Sequence, residues 1–248
     1  LRIAEHLKDQ TIRLEMSLLW LDIAPDNPKA HRVALDTFMD SGNVLEALNH
    51  GSWLYQHRDD LDAFIFVSTA PLESPQLFAL IMDRLTTLSL SDDKMATIKF
   101  IQALFYQKHS QTIKAETKVR EFLVHKRQDQ RGLLLLAQLL HQQEKKNEAI
   151  DVLEEALQDD PSAHKLRLQY ARFLAAESVE EAIVQFNLLQ VSDPQDQEVN
   201  FLLGLLRLSQ NKLDLAIPLF QQASSTPSLR ANAQYHLGTI AERQKRIV

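Results

Sequence analysis

The chain contains no cysteine. Disulfide bonds, thiol catalysis and cysteine-based metal sites are therefore excluded. A cysteine-free chain suits an oxidising compartment, although cytosolic chains lack cysteine too. Glycine and proline are scarce, at 5 and 8 of 248 residues, which fits a mostly helical chain because both weaken helix interiors. The five glycines are isolated, so there is no glycine-rich loop to cradle a phosphate. A basic excess is missing as well: the formal net charge is −6 and the isoelectric point is near 5.9. Nucleic-acid binding usually rests on surplus Lys and Arg, so this balance argues against a nucleic-acid partner. No apolar run approaches the ~20 residues that span a bilayer. The sequence starts at Leu1 with neither Met nor a signal peptide. It reads as a fragment, and a targeting segment or lipid anchor is expected upstream of it.

What is present is a repeat. Hydrophobic residues make up 45% and charged residues 24%, the balance of a globular chain. "NEAIDVLEEALQDDP" (Asn147–Pro161) is echoed 33 residues later by "EEAIVQFNLLQVSDP" (Glu180–Pro194), and 33 further on by "LDLAIPLFQQASSTP" (Leu213–Pro227). Small residues recur in two series. Ala103, Ala137, Ala171, Gly204 and Gly238 form the first, with Leu35 and a weaker Thr69 upstream. Ala115, Ala149, Ala182 and Ala216 form the second, with Ala47 and Ile81 upstream. The spacing predicts two amphipathic helices of about 12–15 residues per unit, with small side chains where two backbones approach closely. Pro25, Pro161 and Pro194 are expected to close units, with Pro227 doing so one residue early, since Pro cannot donate the next helical hydrogen bond. Ser178 with Glu181 and Asn43 with Glu46 read as capping boxes. Ser74 before Pro75 reads as an N-cap with Pro in the first turn. Pro218 is expected to bend its helix or to sit near the first turn.

Period and small-residue placement resemble the tetratricopeptide repeat (TPR). The unit from Gln130 supplies Ala137, Leu140, Ala149, Leu153, Ala156 and Pro161 at the family's positions. The unit from Gln197 supplies Gly204, Ala216, Phe220 and Ala223, and that from Ala96 supplies Ala103, Tyr106 and Ala115. The resemblance implies an all-α solenoid, a right-handed superhelix of about 15 helices. Residues 1–248 divide into a partial unit 1–27, units at about 28–61, 62–95, 96–129, 130–163, 164–196 and 197–230, and a partial unit 231–248. Unit 62–95 is degenerate, because Pro71 truncates its first helix and Ile81 replaces the alanine. Leu1–Leu7 reads as the tail of a first helix with Thr11–Ala24 as partner. Leu229–Lys245 reads as a first helix without one, so the array is expected to continue at both ends.

In this family the first helices line a concave groove. Carried over position by position, its fifth positions are Arg32, Phe66, Phe100, Leu134, Leu168, Phe201 and Tyr235. Its ninth positions include Leu104, Gln138, Arg172 and Leu205, and its second positions Lys29, Arg131 and Lys165. Such a groove suits an extended or helical peptide with apolar anchors and some acidic character. The alternative is that several of these side chains simply pack between neighbouring first helices. The Lys and Asn clamp with which chaperone-binding members hold a carboxylate is not supplied by any unit.

No catalytic or metal-binding constellation is legible. None of the nine His falls in HExxH or another ligand spacing. His50 and His57 share a helix, His31 lies in another, and exposed or capping roles are expected for them. The pairs Asp59-Asp60, Asp92-Asp93 and Asp159-Asp160 fall at helix boundaries, where carboxylates cap or complement the helix dipole. Lys145-Lys146 reads as a solvated turn, and Trp20 and Trp53 as packing. No enzyme activity and no cofactor are expected.

A narrower resemblance rests on "RIAEHL" (Arg2–Leu7), "LLWLDIAPDNPKAHR" (Leu18–Arg32), the Gly42 turn and "EAL" (Glu46–Leu48). These look like the N-terminal half of a family of TPR lipoproteins of Gram-negative bacteria. The resemblance implies a periplasmic, outer-membrane-associated adaptor that binds a carboxyl-terminal processing protease and helps deliver cell-wall hydrolases to it. Two other readings stay open: a regulatory or sensor module of a larger signalling or transferase enzyme, with a cytoplasmic location, and an assembly factor for an envelope secretion, pilus or polysaccharide machine.

Overall fold

The computed structural model describes residues 10–72, 74–91 and 94–245. Among these residues the chain forms fourteen helices and no strand. The helix expected over Leu1–Leu7 and the pair Asp92-Asp93 lie outside the described residues. Two compact bodies divide the chain, Leu1–Arg127 and Gln128–Val248. The N-terminal body holds α1 (Gln10–Ile23), α2 (Pro28–Asp40), α3 (Val44–Arg58), α4 (Leu61–Val67), α5 (Pro75–Thr87), α6 (Met95–Lys108) and α7 (Thr112–His125). The C-terminal body holds α8 (Gln130–Gln142), α9 (Lys146–Asp159), α10 (His164–Glu177), α11 (Val179–Ser192), α12 (Gln197–Ser209), α13 (Leu213–Ala223) and α14 (Pro227–Lys245).

Helices pair as α2/α3, α6/α7, α8/α9, α10/α11 and α12/α13, and each second helix of a pair within a body packs on the next first helix. The small-residue series lies at these seams. Leu35, Ala47, Ile81, Ala103, Ala115, Ala137, Ala149, Ala171, Ala182 and Ala216 are fully buried. A Cβ on Gly204 would stand 3.0 Å from Cε1 of Phe220, so there the ring occupies the space a larger residue would need. Two members of the series depart. Gly238 is exposed, with no atom within 4 Å of a would-be Cβ. Thr69 is exposed beyond the end of α4. A further close approach falls outside the series, at Gly51 in α3, where a Cβ would meet Val67 Cγ2 at 2.8 Å and the Ala63 carbonyl at 3.2 Å.

The turn inside a pair recurs as a left-handed residue: Gly42 (φ 74°), Ser110 (φ 57°), Glu144 (φ 61°) and Asn211 (φ 58°). Only the first is a glycine, the residue that enters this region without steric cost. Between α10 and α11 the turn collapses to Ser178, which ends one helix and caps the next. N-caps are also periodic. Asn27, Asp60, Asp129 and Asp196 each accept from backbone N–H groups of the helix that follows. Asn43, Ser74 and Ser178 accept from Glu46, Leu77 and Glu181 N–H respectively.

Pro25, Pro161 and Pro194 follow α1, α9 and α11 as expected. Pro227 does not close a unit; it is the first residue of α14, where its missing N–H has no intrahelical partner to lose. Pro218 lies well inside α13, beyond the first turn. The acidic pairs are only partly capping. Asp60 caps α4, but Asp159 and Asp160 stand at the C-terminal end of α9, where the dipole opposes a carboxylate. Asp160 is held instead by the N–H and hydroxyl of Ser162. Asp59 is left-handed at the end of α3 and pairs with Lys94. Lys146 opens α9 and pairs with Glu177 at 3.1 Å.

The segment 61–87 is distorted. α4 ends at Val67, since Pro71 and the restriction it places on Ala70 stop the helix. α4 packs on α3 and α6, and α5 also packs on α3 and α6. Polar contacts hold α5 in place. Arg84 donates to Asn49 Oδ1 of α3 at 2.9 Å, and Gln102 of α6 donates to Thr86 at 3.2 Å. Lys94 Nζ donates to the Tyr55 and Gln56 carbonyls, both at 3.0 Å.

Candidate protein-binding surface

The first helices α2, α4 and α6 carry the expected groove residues of the N-terminal body. Lys29, Arg32 and Phe66 are exposed and Leu104 is half-buried. Phe100 is only 3% exposed, with its ring 5.1 Å from that of Phe122 on α7. It belongs to the seam between α6 and α7 and offers nothing to a ligand, which corrects its assignment to a binding surface.

In the C-terminal body α8, α10, α12 and α14 carry the remaining positions. Arg131, Gln138, Lys165, Arg172 and Tyr235 are exposed, while Leu134, Leu168, Phe201 and Leu205 are half-buried. Phe201 sets its edge against Phe220, ring centroids 5.7 Å apart, and lies beside His236. It is packing as much as surface. Tyr235, 71% exposed, is the most open aromatic of the set.

The basic residues are largely neutralised in place. Arg32 meets Asp36 at 3.6 Å and Asp60 at 3.3 Å, Arg131 meets Asp129 at 3.7 Å, and Arg172 pairs with Glu198. This weakens the expected preference for an acidic peptide. In the C-terminal body what remains is a mixed surface of half-buried leucines, an open tyrosine and paired charges. Such a surface can bury a partner's apolar anchors and orient it through polar contacts.

Sequence reasoning missed a recurring polar latch. The Pro25 carbonyl accepts from His31 Nε2 at 2.7 Å, the Pro161 carbonyl from Arg167 at 2.7 Å, and the Pro194 carbonyl from Asn200 at 3.2 Å. In every case the donor is six residues on, in the first turns of the next helix. Each donor also reaches a second helix: His31 to His50, Arg167 to Gln185, and Asn200 to Gln190. His, Arg and Asn share no type, so only the fixed offset from the proline could have exposed the pattern.

His31 and His50 are consequently neither exposed nor capping. His31 is buried and lies flat on Trp53, centroids 3.6 Å apart at 3°. His50 is half-buried and stacks on Phe38. The two Nδ1 atoms are 2.9 Å apart. Because the Pro25 carbonyl can only accept, His31 carries its proton on Nε2 and presents a bare Nδ1. His50 must then donate from Nδ1. Burial and the neighbouring His31 lower the His50 pKa to about 4, against a smaller opposing effect of Glu46. His31 is lowered too, first by burial. No group of three or more His, Cys, Asp or Glu able to hold a metal occurs among the described residues.

Within each body the arrangement is of one class, short packed helix pairs with small residues at the seams, and no helix among the described residues is long and apolar enough to cross a membrane. Comparison with known proteins identifies the repeat. Tetratricopeptide-repeat family models match residues 131–173, 167–229 and 201–248. A TPR repeat-containing protein of Pseudomonas aeruginosa is 26% identical over 170 residues, covering 68% of this chain. The chain spans 29% of that relative's length. MamA 41-end from Desulfovibrio magneticus RS-1 superposes with a TM-score of 0.55 at 18% identity, covering 63% of this chain and 88% of that one. YrrB, a TPR protein with an unusual peptide-binding site, gives 0.51 at 13% identity, covering 90% and 97%. The Cut9-Hcn1 hetero-tetramer structure of APC/C gives 0.58 at 12% identity, covering 94% and 46%. At these identities the solved structures speak for the fold alone. Tetratricopeptide repeats are thus shown over residues 131–248, and such repeats support a protein-interaction scaffold.

Proposed function

We propose that this chain is a non-catalytic adaptor. In this reading it acts on the periplasmic face of the outer membrane, binds a carboxyl-terminal processing protease and presents cell-wall hydrolases to it. The observation that carries the scaffold reading is the first-helix surface of the C-terminal body, where Leu134, Leu168 and Tyr235 stand beside ion-paired arginines on a frame of buried small residues. The finer reading draws support from the likeness of Arg2–Leu48 to the N-terminal half of that lipoprotein family.

The test is affinity capture from an envelope extract, with the wild-type chain beside a variant carrying Leu134→Gln and Tyr235→Ser. Circular dichroism first establishes that both are helical. A processing protease enriched by the wild type and lost with the variant supports both the adaptor and its surface. Equal capture by the two baits moves the site elsewhere on the chain. Failure of purified protease to bind the chain at micromolar concentration refutes the adaptor reading.

A further inference from the structure

The second helices of the C-terminal body present outer faces of different chemistry. On α9, Asp151, Glu154 and Glu155 face solvent. One repeat on, 33 residues later, α11 places Val184 where α9 has Asp151, Leu188 where it has Glu155 and Val191 where it has Gln158. These three side chains are 55%, 48% and 81% exposed. Their i, i+4, i+7 spacing sets them in one ridge along the helix. The ridge has no part in the fold's own packing, since α11 buries Ala182, Ile183, Phe186 and Leu189 on its opposite side. In the next repeat the equivalent positions are Pro218 and Gln222 of α13 and Ser225 just beyond it, so the repeat carries no such ridge of three apolar side chains.

The acidic face lies beside it. Both α9 and α11 pack on α10, so the acidic face and the ridge stand on second helices of successive repeats that flank that helix. Burial raises the Tyr170 pKa, and Glu154 and Asp151 of α9 together with Glu181 of α11 raise it further, against Arg167. Glu181 is one turn ahead of Val184. A negative field therefore flanks the ridge at its N-terminal end and along α9.

We propose that the α11 ridge, with the α9 carboxylates beside it, is a docking surface for an amphipathic helix whose apolar stripe is flanked by Lys or Arg. The ridge supplies the apolar contact, and the carboxylates fix orientation and reject acidic partners. The charge pattern disfavours a second copy as occupant, because the chain is acidic overall, at −6, and would bring like charge against like. This surface lies on second helices and is independent of the first-helix surface proposed above.

The test uses the whole chain and a fluorescein-labelled synthetic helix with Leu along one stripe and Lys on both flanks, followed by fluorescence anisotropy. The same helix with Glu for Lys is the control. The Lys-flanked helix is expected to bind at least about ten times more tightly than the control. Leu188→Gln with Val191→Thr, both solvent-facing changes, should weaken binding about tenfold with an unaltered circular dichroism spectrum. Asp151→Asn with Glu155→Gln should weaken it and flatten its salt dependence. Equal binding of the two helices, absence of saturable binding by the Lys-flanked helix, or wild-type affinity in both folded double variants overturns the proposal. So does a dimer in sedimentation that Leu188→Gln dissolves, since the occupant is then a second copy. The comparison of the two helices needs no variant and stands if either variant fails to fold.

Discussion

Acid should loosen the N-terminal body through one side chain. His50 is ordinarily protonated with a pKa of 6.5 and in the fold has one of about 4. Between these values the unfolded chain binds a proton that the folded chain refuses, so stability rises with pH across the window. The contribution is complete above pH 6.5 and is lost as pH falls toward 4. The interval corresponds to about 3 kcal/mol at most, at 1.36 kcal/mol per pKa unit. Because the ring is only half-buried, solvent screening reduces this to about 1.5 kcal/mol. The perturbation is His50→Phe, which keeps a ring against Phe38 and removes the titration. It leaves Nδ1 of His31 without its donor, at a cost of about 1 kcal/mol at pH 7.5. Urea unfolding at pH 7.5, 6, 5 and 4.5 reads the effect. The wild type should lose about 1.5 kcal/mol more than the variant over that range, so the two curves converge and then cross in acid. Parallel curves would refute the reasoning, as would a nitrogen-15 spectrum at pH 7 showing His50 protonated at Nε2.

Other expectations follow from packing. Gly51→Ala should cost about 1–2 kcal/mol despite its gain in helix propensity, because its Cβ meets Val67 and the Ala63 carbonyl; the thermal midpoint checks it. Asn200→Ala removes the donor to the Pro194 carbonyl and the acceptor for Gln190. As Asn200 is fully buried, denaturant titration should show a loss of about 2 kcal/mol. Pro218→Ala restores a backbone donor inside α13 and should stabilise by about 1–3 kcal/mol, read as a higher urea midpoint at unchanged m-value.

The sequence made the repeat legible because its signal is steric. At Ala137, Ala171 or Ala182 a side chain must be small, and a requirement on size survives divergence of everything around it. Caps were legible at Ser74 and Ser178 for a similar reason, since the acceptor acts within its own turn. Tertiary choices were not. Phe66 and Phe100 occupy equivalent positions, yet one is exposed on a truncated helix and the other is sealed under Phe122. Arg131 and Asp129 are a local pair, as are Arg32 and Asp36, but the further partners of Arg32 and Arg172, Asp60 and Glu198, lie 28 and 26 residues along the chain. The His31–His50 contact depends on a proline carbonyl on one side and a helix nineteen residues away on the other. No local pattern carries that information.

The segment around α4 and α5 has a mechanical consequence. In a linear stack each pair is held only by its neighbours, and cooperativity passes along the chain as a series of couplings. At this point α5 buries only Ile81 and Leu85 of its thirteen residues, and side-chain tethers through Arg84 and Thr86 add to its hold. The body can therefore yield at α5 while α2/α3 and α6/α7 stay folded. Hydrogen exchange should show two protected islands separated by a fast-exchanging α5. Under tension, that helix acts as the fuse: it extends first and spares the pairs on either side.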